Sequence, residues 1–253
     1  MTMIQDVKFS CTALAGTNKA GVIKADADGY YPMPIGGLNC FNSAGEYYPY
    51  QSCKNLFEQS SAFMRRVSTG CLKGEYGHPK RQVGMSMEEY ARRIMSIEEK
   101  SICVHFKEIW LDFNSMRDAN GRPIVAVMAA VKPSGPYADA LERSLNNPKE
   151  DVCFSIRAFT DDVKVAGVNN RNLVEIVTWD FVNEPGINTA RKYKAPALES
   201  LSQAAFTKEE ILGAVKPVEG VAMESSAIQA ADAIFRAFGW DKDALASPKF
   251  MGW

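Results

Sequence analysis

The chain has 253 residues, 46% hydrophobic and 23% charged, with a formal net charge of −1. That length suffices for one large domain or two small ones around a buried core. The near-zero charge argues against a basic surface for polyanions, so no nucleic-acid partner is expected. No apolar stretch approaches the roughly 18 residues that cross a bilayer, and no charged segment leads into an apolar run at the start, so neither a membrane nor a secretory route is expected. The six cysteines form no C-x-x-C pair, and His78 and His105 are the only histidines. A zinc site of ordinary spacing is therefore not expected. Cys71, Cys103 and Cys153 sit in apolar runs as small hydrophobes, which suits a reducing cytoplasm.

Residues 1–50, rich in Gly, Pro, Asn and Tyr, read as short strands and turns. Lys54 to Arg66 has helical spacing through Leu56, Phe57, Phe63 and Met64, and Val67 to Tyr76 reads as a strand entering a turn at Gly77-His78-Pro79. Ser86-Met-Glu-Glu89 is a capping box opening a helix with Met87, Tyr90, Ala91 and Ile94 on one face. Ile102 to Phe113 and Ile124 to Val131 are two strands, and Asn120-Gly121 marks a hairpin between them. A short helix with Tyr137, Leu141 and Leu145 follows Ser134-Gly-Pro136.

Val152 to Phe159 and Leu173 to Val182 are further strands, with Asn169 to Asn172 in their connection. Lys192 to Phe206 reads as a linker. Two helices follow, one capped by Thr207-Lys-Glu-Glu210 and one over Ser226 to Phe238. The expected organisation is an α+β core over residues 1–190 and a helical tail over 191–253.

Strand alternation places Cys153, Ser155, Arg157 and Phe159 on one face and Val152, Phe154, Ile156 and Ala158 on the other. On the strand alone, an ordinary half-exposed serine is the simpler reading of Ser155. His78 stands between Gly77 and Pro79, which would aim an imidazole able to act as general base; a plain surface-turn histidine accounts for it equally well. His105, in Cys103-Val-His-Phe-Lys107, reads as a half-buried strand residue. Alternation gives Asp180 apolar company, Ile176 and Val182 with Thr178, and sets Glu175 on the opposite face. A carboxylate in such surroundings needs a partner, and orienting an imidazole supplies one.

Four segments stand out in order: Asn39-Cys-Phe-Asn-Ser-Ala-Gly-Glu-Tyr-Tyr-Pro49, Gly74-Glu-Tyr-Gly-His-Pro79, Val152-Cys-Phe-Ser-Ile-Arg157 and Val177-Thr-Trp-Asp-Phe-Val-Asn-Glu-Pro185. Together they resemble the prohead core proteases of large myoviruses. That family resembles the herpesvirus assembly protease, which implies a herpesvirus-protease-like β-barrel or antiparallel-sheet core with surrounding helices. The resemblance implies Ser155 as nucleophile, His78 as general base and Asp180 as third member, with Glu75 or Glu175 as substitutes in the third role. It needs no cofactor and no metal. Arg157 and Arg191 are candidates for binding substrate or the oxyanion, with Lys80 or Arg81 as other cations near His78.

The implied substrates are scaffold and major capsid proteins and the protease itself, inside a prohead assembling in the host cytoplasm; a homo-oligomer is compatible with this. Cleavage after glutamate is implied, and Ala197-Leu-Glu199 and Ala222-Met-Glu224 are possible self-cleavage sites. The alternative is a catalytically inactive structural component of the prohead core with the protease fold.

Overall fold

The computed structural model describes residues 7–15, 23–42, 44–118, 120–183, 202–215 and 225–240. Ten strands are present among these: β1 (Val7–Ala15), β2 (Tyr31–Leu38), β3 (Cys40–Phe41), β4 (Tyr47–Tyr48), β5 (Lys73–Glu75), β6 (Ile102–Arg117), β7 (Pro123–Pro133), β8 (Cys153–Val165), β9 (Val168–Val182) and β10 (Ser202–Phe206). The helices are α1 (Tyr50–Cys53), α2 (Ala62–Ser68), α3 (Met87–Met95), α4 (Ala138–Asn146), α5 (Lys208–Val215) and α6 (Ser225–Ala237). The strands form a six-stranded sheet in the order β10-β1-β8-β9-β4-β3 and a four-stranded sheet in the order β2-β7-β6-β5. Pairing is antiparallel except where β4 meets β9. This is the α+β, antiparallel-sheet class expected from the sequence.

Two long hairpins carry the fold. β6 and β7 are joined at the expected turn, where the Asp118 carboxylate accepts N–H bonds from Asn120 and Arg122 and Gly121 takes φ +78°. β8 and β9 are joined at Ala166-Gly167, both left-handed, at φ 49° and 84°. Such a two-residue loop matches the twist of the flanking strands. It places Asn169 to Asn172 inside β9 rather than in the expected connection, because an Ala-Gly pair does the turning usually signalled by Asn-Gly.

Three other boundaries differ from expectation. Ser61 caps α2 by accepting the Met64 N–H at 3.0 Å, so the helix starts at Ala62 after a separate 3-10 turn at Lys54–Phe57. It runs on through Ser68, and Gly70 at φ +71° follows its end, leaving β5 only three residues. Residues 202–206, expected within a linker, form β10 and pair with β1 from Val7↔Phe206 to Cys11↔Ser202.

The sheets face each other across one core. Phe154, Ala158, Ile176, Trp179 and Phe181 of the larger sheet meet Val104, Phe106, Val127 and Val131 of the smaller. The other face of the larger sheet carries a second core, in which Phe159 and Val177 pack with Tyr90 and Ile94 of α3, Ile211 of α5, and Ile234 and Phe235 of α6. The helices of residues 208–237 thus lie against the sheet through buried apolar side chains.

Candidate active site

The local path of β5 sets the site. Gly74 runs so close to β9 that a Cβ there would lie 2.1 Å from the carbonyl oxygen of Trp179. Beyond β5 the chain stays on the β9 edge: Tyr76 bridges to Phe181, and the Gly77 N–H donates to the Phe181 carbonyl at 2.7 Å. Gly77 turns at φ +78°, the left-handed region that glycine enters without strain. His78 is thereby delivered over β9 at Asp180. Ser155 lies directly opposite Asp180 in the β8–β9 register. Three residues far apart in sequence therefore sit side by side on adjoining segments.

His78 Nδ1 lies 3.0 Å from Asp180 Oδ2. An N–H donated there fixes the tautomer and leaves Nε2 free to accept a proton. Asp180 is completely buried. Burial works against its charge, but the Arg157 cation and then the hydrogen bond and charge of His78 outweigh it, so its carboxyl is held below the ordinary range. Ser155 is also buried, at 1% exposure, and its Oγ makes no hydrogen bond among the described residues. The hydrogen bond expected between Ser155 and His78 is therefore not formed in this structure. A buried hydroxyl without a partner is unusual in a folded protein and marks a place to look for chemistry.

Arg157 is not open to a substrate in the way the sequence suggested. Strand alternation sets it on the face of Ser155, as expected, but its side chain is fully buried and its guanidinium is occupied. Nε donates to Asp180 Oδ2 at 2.9 Å and Nη2 to Oδ1 at 2.7 Å. A substrate carboxylate or oxyanion would have to displace Asp180 to reach it. The site also contains a carboxylate whose main part went unread in the sequence. Glu75 is buried, 3.2 Å from Arg157 Nη2, and is clasped by both Arg93 terminal nitrogens at 2.9 and 2.5 Å. Its backbone N–H donates to Asp180 Oδ1 at 3.0 Å. The available signal was its place three residues before His78 in the Gly74-Glu-Tyr-Gly-His-Pro79 segment. Asp180, not Glu75 or Glu175, faces the imidazole.

Glu175 shows where simple alternation fails. Val177 is an extra residue between the pairs Arg157↔Thr178 and Ala158↔Ile176. This bulge turns Ile176 into the core with Trp179 and Phe181, and Val177 into the helical core with Phe159. Asp180 and Ile176 therefore do not share a face, and Glu175 instead pairs with Phe159. Arg66 donates to the Ile176 and Val177 carbonyls at 2.6 and 2.9 Å and approaches Glu175 at 3.8 Å.

Burial pushes the Glu175 carboxyl up to about 7, against the pull of Arg66. An acid raised on folding loses its proton first in the unfolded chain, so it lowers stability progressively from about pH 4.5 to about 7, and no further above. Glu175→Gln is accordingly expected to leave stability near pH 4 unchanged and to raise it at pH 8, by up to ~3 kcal/mol at ~1.4 kcal/mol per pH unit. Denaturant unfolding at both pH values measures this; an equal effect at both would contradict it.

His105 is a structural residue, as expected: its nitrogens meet Tyr30 Oη and the Gly70 carbonyl, each at 3.0 Å, and burial lowers its pKa. Among the described residues no cluster of three or more His, Cys, Asp or Glu is arranged to hold a metal ion, and no helix is long and apolar enough to cross a membrane. Arg191, Glu199 and Glu224 lie outside the described residues.

The sequence matches the profile of the peptidase S80 family over residues 9–234. The chain belongs to the peptidase S80 family. The match spans every segment that builds the site, from β5 to β9. Among curated proteins, the capsid maturation protease of Pseudomonas phage phiKZ is 42% identical over 191 residues, covering 74% of this S80 peptidase and 69% of that protein. The solved structure of the bacteriophage T4 capsid assembly protease superposes with a TM-score of 0.48 at 10% identity, covering 70% of this chain and 98% of that one.

Proposed function

We propose that this S80-family chain is a serine endopeptidase of phage capsid maturation that cuts scaffold and capsid proteins, and itself, after glutamate inside the assembling prohead. The observation that carries the reading is the His78–Asp180 hydrogen bond beside a cross-strand serine whose Oγ is unpartnered. In the proposed cycle Ser155 Oγ attacks the scissile carbonyl while His78 Nε2 takes its proton. His78 then protonates the leaving amine, and water repeats the sequence on the acyl-enzyme. Asp180 holds the imidazole and stabilises its cationic form. Ser155 and His78 must close on each other when substrate binds, as hydrogen bonds that are loose in a free enzyme do. With Arg157 engaged, the cation for a substrate glutamate falls to Lys80, Arg81 or Arg191. The first two are exposed on the turn after His78.

A serine-directed phosphonate tests the mechanism. The expected result is one adduct, mapped by peptide mass to Ser155 and absent from His78→Ala. A protein that cuts capsid or scaffold substrate yet takes no label at Ser155 would refute the serine mechanism. A folded protein that neither cuts nor labels would favour the inactive structural component.

Self-processing has its own test. Intact mass after incubation should show loss of the residues beyond Glu199, Glu224 or both, while Ser155→Ala stays full length. A wild-type chain that keeps Trp253 while cutting its substrates would exclude self-processing at these sites. A cut after Glu199 would sever β10, α5 and α6 from the chain but not from their packing against Phe159 and Val177.

A further inference from the structure

We infer that Arg157 is the positioning residue of this centre, fixing the plane of the Asp180 carboxylate so that Oδ2 meets His78 Nδ1. The inference rests on Asp180 serving as the third member of the proposed triad. Each Asp180 oxygen receives two donors. Oδ1 takes Arg157 Nη2 at 2.7 Å and the Glu75 N–H at 3.0 Å; Oδ2 takes Arg157 Nε at 2.9 Å and His78 Nδ1 at 3.0 Å. Two parallel N–H donors on one guanidinium define an orientation as well as supplying charge. Rotation of the carboxylate would disturb both at once.

Arg157 is itself held. Its Nη1 donates at 2.8 Å to the carbonyl of Ser96, which ends α3, and Nη2 lies 3.2 Å from Glu75 Oε1. Glu75 in turn takes both Arg93 terminal nitrogens and the Glu98 N–H at 2.7 Å. The α3 helix is fixed from its other side, where Arg92 donates to the carbonyls of Ala214 and Gly213 at 2.8 and 3.2 Å. A continuous run of polar contacts therefore leads from α5 through α3 to the imidazole. Arg157 also shares the negative charge of Asp180 with His78. Among the described residues the charged and titratable groups acting on that carboxylate are Arg157, His78 and the buried thiol of Cys103, with Glu75, Arg93 and Glu98 one contact further out through Arg157.

Lysine separates orientation from charge, because an ammonium is a compact point charge without the planar fork. The test uses the full-length protein and a peptide with glutamate before the cut, with rates normalised to active sites counted by phosphonate. Arg157→Lys is expected to lower kcat per titrated site about 100-fold and to leave KM within about threefold. Arg157→Met, where it folds, should lower kcat per site further, since both the charge and the planar fork are gone. Where it does not fold, the lysine variant decides. A merely structural role would lower the count of titratable sites and leave kcat per site unchanged. A wild-type kcat per site in Arg157→Lys overturns the inference. Substrate cutting that persists in Ser155→Ala rejects the serine reading instead, so the two failures are distinguishable.

Discussion

Ser155→Ala is expected to lower substrate cleavage by on the order of 10⁴-fold or more while leaving the protein as stable as before, or more so. The two halves of that outcome come from one observation. Ser155 Oγ is buried and makes no hydrogen bond among the described residues, so the hydroxyl contributes no polar contact to the folded state. An unpaired buried polar group costs ~1–3 kcal/mol, and its removal relieves that cost. Asp180→Asn should behave differently. It should also reduce activity by about 10⁴-fold, through the wrong imidazole tautomer. It also leaves buried Arg157 with a neutral partner in place of the carboxylate that accepts two of its N–H groups. Breaking a buried pair from one side costs ~3–5 kcal/mol. Thermal melts beside peptide-cleavage rates therefore distinguish the two positions: activity lost without stability at Ser155, activity and stability lost together at Asp180. A melting temperature of Ser155→Ala well below wild type would show that the serine has a packing role the structure does not contain.

The parts of this arrangement that rest on short-range pattern were legible in the sequence. The capping boxes at Ser86 and Thr207 are both formed as read. The Asn120-Gly121 hairpin is present; the meeting of Asp180 with His78 spans 102 positions, and the resemblance rather than local pattern implied it. The illegible parts depend on partners distant in sequence or on one inserted residue. Nothing local to Val177 signals a bulge, yet that residue decides which way Glu175 faces. Arg157 sits beside Ser155 by alternation, but its burial follows from α3 ending above it and from Glu75 arriving on a different strand. The apolar face of α6 reads in the sequence as Ile228, Ala231, Phe235 and Phe238; Ala231 and Phe235 are buried, whereas Ile228 is left exposed. The docking of α6 onto Phe159 and Val177 was not legible, because strand alternation set Phe159 beside Ser155 and Arg157 without showing what covers that face.

Gly74→Ala is expected to be among the most damaging single-methyl additions in the molecule, destabilising the fold by ~3 kcal/mol or more. The added Cβ would stand 2.1 Å from the Trp179 carbonyl oxygen, 2.7 Å from Val104 Cγ1 and 3.1 Å from Phe106 Cε2. The nearest of these is backbone, so no side-chain rotation relieves the contact; β5 must move away from β9. Two hydrogen bonds cross that seam on either side of Gly74. Thr178 Oγ1 donates to the Lys73 carbonyl at 2.5 Å, and the Glu75 N–H donates to Asp180 Oδ1 at 3.0 Å. A shift large enough to admit the methyl group disturbs both and takes the turn bearing His78 with it. Whatever enzyme still folds should therefore cut slowly per titrated site, since Asp180 has lost one of its four donors and His78 its register. Gly77→Ala is the control. Gly77 has φ +78° but open space around its Cβ position, so alanine there costs only backbone strain of ~1–2 kcal/mol. Melting temperature and per-site rate for both variants should rank Gly74→Ala well below Gly77→Ala. The reverse order, or a Gly74→Ala protein as stable as wild type, would mean that β5 does not pass over β9 as closely as described, and the glycine of the Gly74-Glu-Tyr-Gly-His-Pro79 segment would need another explanation.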